Sequence, residues 1–491
     1  MNEIFIFNLI LGTSLTSKFK TFLLESYIEN INNYYILPSS LFQNSKFNYN
    51  WILILSILYT LWIILAFLYS DYSHARGLKT FINIILIFLL YIVLGVLSTS
   101  SNFLVTYLSL ESITFIMTSL FVYSSKYDPT AELILKYFTI SIFGTIFFLV
   151  GISLVYFENK TLDYAFLKHY LNINSSFDTN NSFSKLAVIF ILMGFLFKLN
   201  SAIFHFWSIE IYGNLSWLNL FIVLVPIKLS MFYSFFKTML VFFSTYGDIY
   251  SNICHFFGLT SVVVGTIGAV FQERLKPFIV YTSISHSGYI LLAFSTNSLE
   301  GSRAALGHLH GYIFSSSLFF LFIISFFVRT FDSIEYMTDF KKVFFDRKER
   351  ILHMIGFLIL SFAGMPPFIG FFTKIDVLIT YYNSGNTFFT LLILLVSVIS
   401  ALYYFSVVFE FFSKNYKFEK GLHFLVSKEL KLNSTSYSSN LLFNSIREGF
   451  LLVIFSIIFF YFSICFTWFW LFNNQLAINF YYGNTLEIIN L

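Results

Sequence analysis

The sequence predicts an all-α polytopic membrane protein with about 12 transmembrane helices, two inverted five-helix repeats and discontinuous helices. Three observations carry that prediction. The chain is 57% hydrophobic and 22% aromatic but only 11% charged, a balance that excludes both an ordinary soluble enzyme and a disordered chain. Apolar runs of about 20 residues recur along it. Basic residues also gather in alternate loops, as they do on the two sides of a membrane.

The apolar runs fall at 51-70, 80-99, 102-124, 132-157, 185-206, 217-243, 253-271, 277-296, 305-329, 351-382, 387-413 and 449-472. The run at 4-15 is too short to span, and 16-50 is polar. If 351-382 is one interrupted crossing, Arg76, Lys79, Lys126, Arg274, Lys276, Lys341, Lys342, Arg347, Lys348, Arg350, Lys414, Lys417, Lys420, Lys428, Lys431 and Arg447 share one side. Only Lys160, Lys168, Lys185 and Arg303 lie on the other, so the first side is inside. The organisation that follows is 1-79, a polar segment and one leading helix; 80-243, the first five-helix repeat; 253-413, the second; and 414-491, a hydrophilic loop and final helix. Five is odd, so the second repeat is inverted relative to the first.

The formal charge of +4 is too balanced to predict nucleic-acid binding. Cys254 and Cys465, the two cysteines, are too few for an iron–sulfur cluster or a zinc site. Any redox chemistry is therefore expected in other chains. Glu3 stands where a signal peptide needs positive charge, and no signal or transit peptide is expected. Abundant Phe, Ile, Asn, Tyr and Lys is what very AT-rich codons would produce, as in an organelle-encoded protein.

An ionisable side chain in mid-span costs several kcal/mol unless paired or hydrated, about 3 on insertion scales, which makes such positions functional candidates. They are Glu111 in YLSLESITF, Lys198 in FLFKLNSAIFHFW, Lys228 in LVPIKLSMF and Lys374 in AGMPPFIGFFTKIDV, with Lys136 in ELILKYF a fifth. Lys136, near a span start, is a weaker candidate, with snorkelling to the headgroups almost as good a reading as a buried role. Lys198 has the same alternative, although His205, seven residues on, is expected on the same helical face. Glu111 and Lys228 lie too deep for that. His286, His308 and His310 are candidate relays or simply packed histidines. Pro226, Pro277, Pro366 and Pro367 fall in or beside spans and free backbone carbonyls there. A broken helix beside a buried charge is a recurrent form of ion site in transporters.

The stretches LSLESITF, LILKYFTISIFGTIFFLVGISLVY, FKLNSAIFHFW with EIYGN, LVPIKLSMF, FQERLKPFIVYTSISHSGYILLAFS, HGYIFSS and LSFAGMPPFIGFFTKIDVL run in order from about 80 to 410. Together they resemble the chain 2 family of antiporter-like membrane subunits of respiratory NADH:ubiquinone oxidoreductase, complex I. The resemblance implies two inverted five-helix repeats, each with a discontinuous fourth helix, and a hydrated proton path along the midplane. By motif, that path falls on Glu111, Lys136, Lys198, Lys228 and Lys374, with His205 beside Lys198, while Lys276 takes a surface role.

It further implies a non-redox subunit of a proton-translocating NADH:ubiquinone reductase in the mitochondrial inner membrane. Its partners would be the other membrane-arm subunits and phospholipids, with NADH, FMN, iron–sulfur clusters and ubiquinone held elsewhere. Burial and mutual repulsion let lysines release protons, and movement of Glu111 relative to Lys198 would hold or release one. A subunit of a multisubunit sodium/proton antiporter is the alternative. A membrane lipid or glycosyl transferase would need a carboxylate cluster at one face, which the loops do not supply. A purely structural scaffold would leave the mid-span charges unexplained.

Overall fold

The computed structural model describes residues 54–59, 77–124, 130–168, 182–330, 336–337, 349–412 and 473–474. The expected span 449-472, most of 51-70, and the segments 4-15, 16-50 and 414-448 lie outside the described residues. The rest is helical: α1 (Gly77–Thr99), α2 (Phe103–Ser124), α3 (Thr130–Asn159), α4 (Ser182–Lys198), α5 (Phe206–Gly213), α6 (Trp217–Ile222), α7 (Lys228–Val270), α8 (Leu275–Phe294), α9 (Leu299–Thr330), α10 (Glu349–Ala363), α11 (Ile369–Asn383) and α12 (Thr387–Phe412). Among the described residues, 8 stretches are long and apolar enough to cross a bilayer, where a helix satisfies its own backbone polar groups.

The expected spans 217-243 and 253-271 correspond to two candidate spans, Trp217–Met239 and Tyr246–Val270, and α7 is kinked between them at Tyr246, where φ is −119° and ψ 25°. Asn297 donates to the carbonyl of Gly247 there, at 3.0 Å. Trp217–Met239, α8 and the first 26 residues of α9 form the buried centre. The flanking α1, α3 and α12 show Leu, Ile and Phe outward, including Phe88, Phe143 and Leu395, as helices facing lipid do.

Close helix contact depends on small residues, because lipid supplies no hydrophobic drive for association and packing must. A Cβ at Gly265 of α7 would lie 2.6 Å from the backbone nitrogen of Ser285 on α8, and one at Gly288 of α8 would lie 2.7 Å from that of Val262. The α3–α4 seam is built likewise, with Gly151 against Ile191 and Gly194 against Phe148. Gly265→Val is expected to force α7 and α8 apart and destabilise the chain by about 1–3 kcal/mol. A thermal unfolding midpoint unchanged from the parent would contradict this account of the seam.

Two crossings are broken. After Lys198 the chain leaves the helix, with Asn200 at φ 55° and Ile203 at φ 78°, left-handed conformations that a helix interior does not accommodate. No proline is present. Asn200 tolerates this geometry better than most residues, and the amide and hydroxyl of Ser201 both donate to the Leu196 carbonyl, at 3.1 and 2.9 Å. Ser261 of α7 accepts from the Ala202 amide at 2.9 Å, holding the break in place. The second break separates α10 from α11 at Gly364, φ 81°, and the Pro366-Pro367 pair, as the expected interruption of 351-382 requires. At Pro226 a third irregularity appears, a π-turn over Val223–Ile227 directly before Lys228, since proline cannot supply the regular helix hydrogen bond.

Candidate functional site

Lys198 is the last residue of α4, where unsatisfied carbonyls carry the negative end of the helix dipole. Its Nζ is buried with no hydrogen-bond partner among the described residues. Glu111, half-buried on α2, is within electrostatic range of it, and no direct ion pair joins the two. Tyr107, one turn before Glu111, sits against the carboxylate. The acid and the amine are thus coupled through a gap, and a small displacement can change their interaction.

Lys228 emerges from the π-turn at 7% exposure. Its amine donates to the Ser283 carbonyl on α8 and lies 5.2 Å from the ring centre of Tyr312 on α9. Beyond it, His286 Nδ1 and His308 Nε2 are 3.1 Å apart, so one ring must donate and the other accept. The other nitrogen of His308 is 3.3 Å from Thr373 Oγ1 on α11. Lys374, next in sequence, donates to the carbonyls of Phe362 and Ala363 at 2.7 and 2.9 Å. These are the carbonyls left free where α10 stops, so the broken helix makes the lysine's seat. Gly364 is part of that seat, since a Cβ there would meet Lys374 Cδ at 2.8 Å. His286 feels the charges of both Lys228 and Lys374, which makes the two lysines and two histidines one electrostatic group.

Three expectations change. His205 is not on the Lys198 face of one helix: the chain unwinds between them, and His205 instead precedes α5, with its ring 6.2 Å from that of Tyr281. The seven-residue spacing presumed a continuity that Asn200 and Ile203 break. Lys136 lies apart from the buried groups, pairing with Glu132 at 2.8 Å and Glu210 at 2.7 Å while 38% exposed. This is the headgroup-level alternative, with a carboxylate partner from α5. Lys276, expected at the surface, is half-buried, donates to the Leu215 carbonyl at 2.6 Å and lies over Trp217, so it ties the α5–α6 turn to α8.

The sequence reading passed over Lys237, buried on α7 with its amine 3.4 Å from the Ser98 carbonyl of α1. The mid-span charge rule would have found it, because it lies within 217-243, nine residues past Lys228. The reading also passed over the Arg303–Asp376 pair, at 3.3 Å between α9 and α11. No signal in sequence spacing joins those two. Among the described residues no group of three or more His, Cys, Asp or Glu is placed to hold a metal.

A multi-pass membrane bundle with lysines at its helix breaks defines a class. The chain belongs to the membrane-domain family described as NADH:quinone oxidoreductase/Mrp antiporter, whose model matches residues 100–400. Within that family it is similar to NADH-quinone oxidoreductase subunit N of Hydrogenovibrio crunogenus, 27% identical over 65% of this chain and 66% of the relative. It is 29% identical to NADH-ubiquinone oxidoreductase chain 2 of Rhizopus oryzae, over 68% of this chain and 65% of that one. The matched region thus spans just under two thirds of these relatives' lengths.

The fold is shared with a chain of respiratory complex I from Thermus thermophilus, with a TM-score of 0.62 and 18% identity over 82% of this chain and 88% of the other. A chain of the Mrp complex from Dietzia has it too, with a TM-score of 0.70 and 15% identity over 88% and 83%.

Proposed function

We propose that the chain is a proton-translocating membrane subunit of respiratory complex I in the mitochondrial inner membrane, working beside the other membrane-arm subunits. It would couple quinone reduction elsewhere in the complex to proton movement along Glu111, Lys198, His205, Lys228 and Lys374, with Lys136 and Glu210 at the margin. The observation that carries the reading is the group Lys228, His286, His308 and Lys374. These buried titratable side chains lie on α7, α8, α9 and α11, and among the described residues their close hydrogen-bond partners are backbone carbonyls, one another and the Thr373 hydroxyl. A structural ion pair would need a carboxylate, and none is among those partners. Groups held this way can exchange protons without breaking the fold.

The proposed sequence of events starts at Glu111. Movement toward Lys198 favours the ammonium there, and movement away releases its proton toward Lys228, because a coupled pair titrates as a unit. Carrying one charge across the membrane costs about 2.3 kcal/mol per 100 mV. That energy must come from redox chemistry in partner subunits, where NADH, FMN, iron–sulfur clusters and ubiquinone are proposed to reside. The paired breaks α4/α5 and α10/α11, each with a lysine at the break, support the proposal of two repeats, 80-243 and 253-413. The names of the relatives in bacteria and in Rhizopus oryzae support the complex I assignment, and the fungal one supports the mitochondrial location.

The second reading, a subunit of a sodium/proton antiporter, has the fold shared with the Dietzia Mrp complex in its favour. Purifying the native assembly through a tag on this chain separates the two. Flavin, iron and NADH-driven proton uptake in proteoliposomes are expected. An assembly without flavin or iron that exchanges sodium for protons would overturn the proposal.

A further inference from the structure

Arg303, in the second turn of α9, and Asp376 of α11 form an ion pair at 3.3 Å, with side chains only 15% and 22% exposed. At that burial, loss of one member leaves the other uncompensated, so the pair holds the two helices together at this point. Two further contacts follow along the same seam. His308 Nδ1 meets Thr373 Oγ1 at 3.3 Å, and a Cβ at Gly311 would lie 3.1 Å from both Ile369 and Thr373 side chains. Advance along α9 from Arg303 to Gly311 matches retreat along α11 from Asp376 to Ile369, about 11 Å on each helix at roughly 1.5 Å per residue. The two helices are antiparallel here and locked in register, with the ion pair at one end and the glycine contact at the other.

That register decides a hydrogen-bond direction. The Thr373 hydroxyl also donates to the Gly370 carbonyl one turn back, at 3.3 Å. A hydroxyl has one hydrogen, so toward His308 the same oxygen accepts, and His308 Nδ1 carries the proton. A neutral His308 then offers Nε2 as an acceptor, and the atom facing it at 3.1 Å, His286 Nδ1, is the donor. His286 Nε2 is left as a bare acceptor, buried with no hydrogen-bond partner among the described residues. The bonds therefore point one way, from His286 through His308 and Thr373 to Gly370. A slip of α11 by one residue, about 1.5 Å, takes Thr373 out of reach of His308, since the bond is already long at 3.3 Å, and either ring is then able to reverse.

From this geometry we infer that Arg303 and Asp376 are positioning residues: their pair sets the register that keeps Thr373 on His308 and so fixes both histidine tautomers, with His286 Nε2 open to a proton. The inference rests on the function proposed above and adds two residues that act on the buried group from its edge. Thr373 is the link between them and that group. The other titratable groups facing His308 are His286 and Tyr289 of α8 and Lys374 of α11. Lys228 of α7 acts on His286, and Glu300 of α9 acts on Asp376.

The test follows NADH-driven proton transfer against pH in the whole assembly, in proteoliposomes. Asp376→Asn and Arg303→Gln are each expected to slow transfer about tenfold, below the roughly hundredfold that a misplacement of 1 Å can cost, and to move the pH of half-maximal transfer. Thr373→Val, which removes the hydroxyl, is expected to move it in the same direction, and Asp376→Asn added to Thr373→Val is expected to change nothing further. Arg303→Gln combined with Asp376→Asn leaves neither charge unpaired, so it is expected to be faster than either single variant, and its pH profile supplies the measurement where a single variant fails to assemble. A parental rate in Asp376→Asn, a slower rate with an unmoved pH profile, or effects of Asp376→Asn and Thr373→Val that multiply would each overturn the inference. Where Lys228→Met stops transfer in the same preparation and Asp376→Asn does not slow it, the positioning role falls while the function stands.

Discussion

Lys228→Met is expected to reduce proton transfer by the assembled complex about tenfold or more, within the range for losing an essential proton carrier, and to lower NADH:quinone turnover through coupling. The lysine is buried and directly follows a π-turn. Its hydrogen-bond partner among the described residues is the Ser283 carbonyl, so methionine fills similar space and the substitution tests the charge more than the packing. It also removes an amine whose charge acts on His286 together with that of Lys374. Glu111→Gln is expected to act in the same direction, because it takes away the charge that modulates Lys198. Assembly is checked first by native mass, and then proton yield per NADH is measured in vesicles. Normal yield and rate in both variants, in intact complex, would end the charged-axis proposal.

Gly364→Ala is expected to be nearly as damaging, by a different route. A φ of 81° is strained for any residue with a Cβ, at a cost of about 1–3 kcal/mol. The added Cβ would also lie 2.8 Å from Lys374 Cδ, so the lysine must leave the Phe362 and Ala363 carbonyls. Both loss of thermal stability and loss of proton transfer are expected, although alanine carries no charge and touches no solvent path. Strain and the lysine's seat can be separated by a double-mutant cycle with Lys374→Met. Displacement of the lysine predicts non-additive stability effects, whereas purely additive effects would leave backbone strain as the whole cause.

The sequence reading succeeded where one strong local cost dominates. A proline pair within 351-382 marked a broken crossing because proline cannot complete helix hydrogen bonds, and α10 and α11 part there. Mid-span lysines marked Lys228 and Lys374 because an apolar run leaves a charge few options, and both are buried. It failed where geometry depends on distant neighbours. The break after Lys198 has no proline and is held by Ser261 of α7, 59 residues away from Ala202, so only the family resemblance implied a discontinuity in 185-206, and the seven-residue spacing still set His205 on the Lys198 face. Lys136 looked like a member of the row until Glu210 arrived from α5 to pair with it.

By itself, then, the sequence determined that the chain lives in a membrane, roughly where it crosses, and which rare charges had to be accommodated within it. Those are consequences of solvation, which each segment meets separately. Tertiary structure decided which charges share a field and which carbonyls receive them. Those depend on helices distant in sequence coming within a few ångströms, where small residues at the seams and the broken ends of α4 and α10 set the distances.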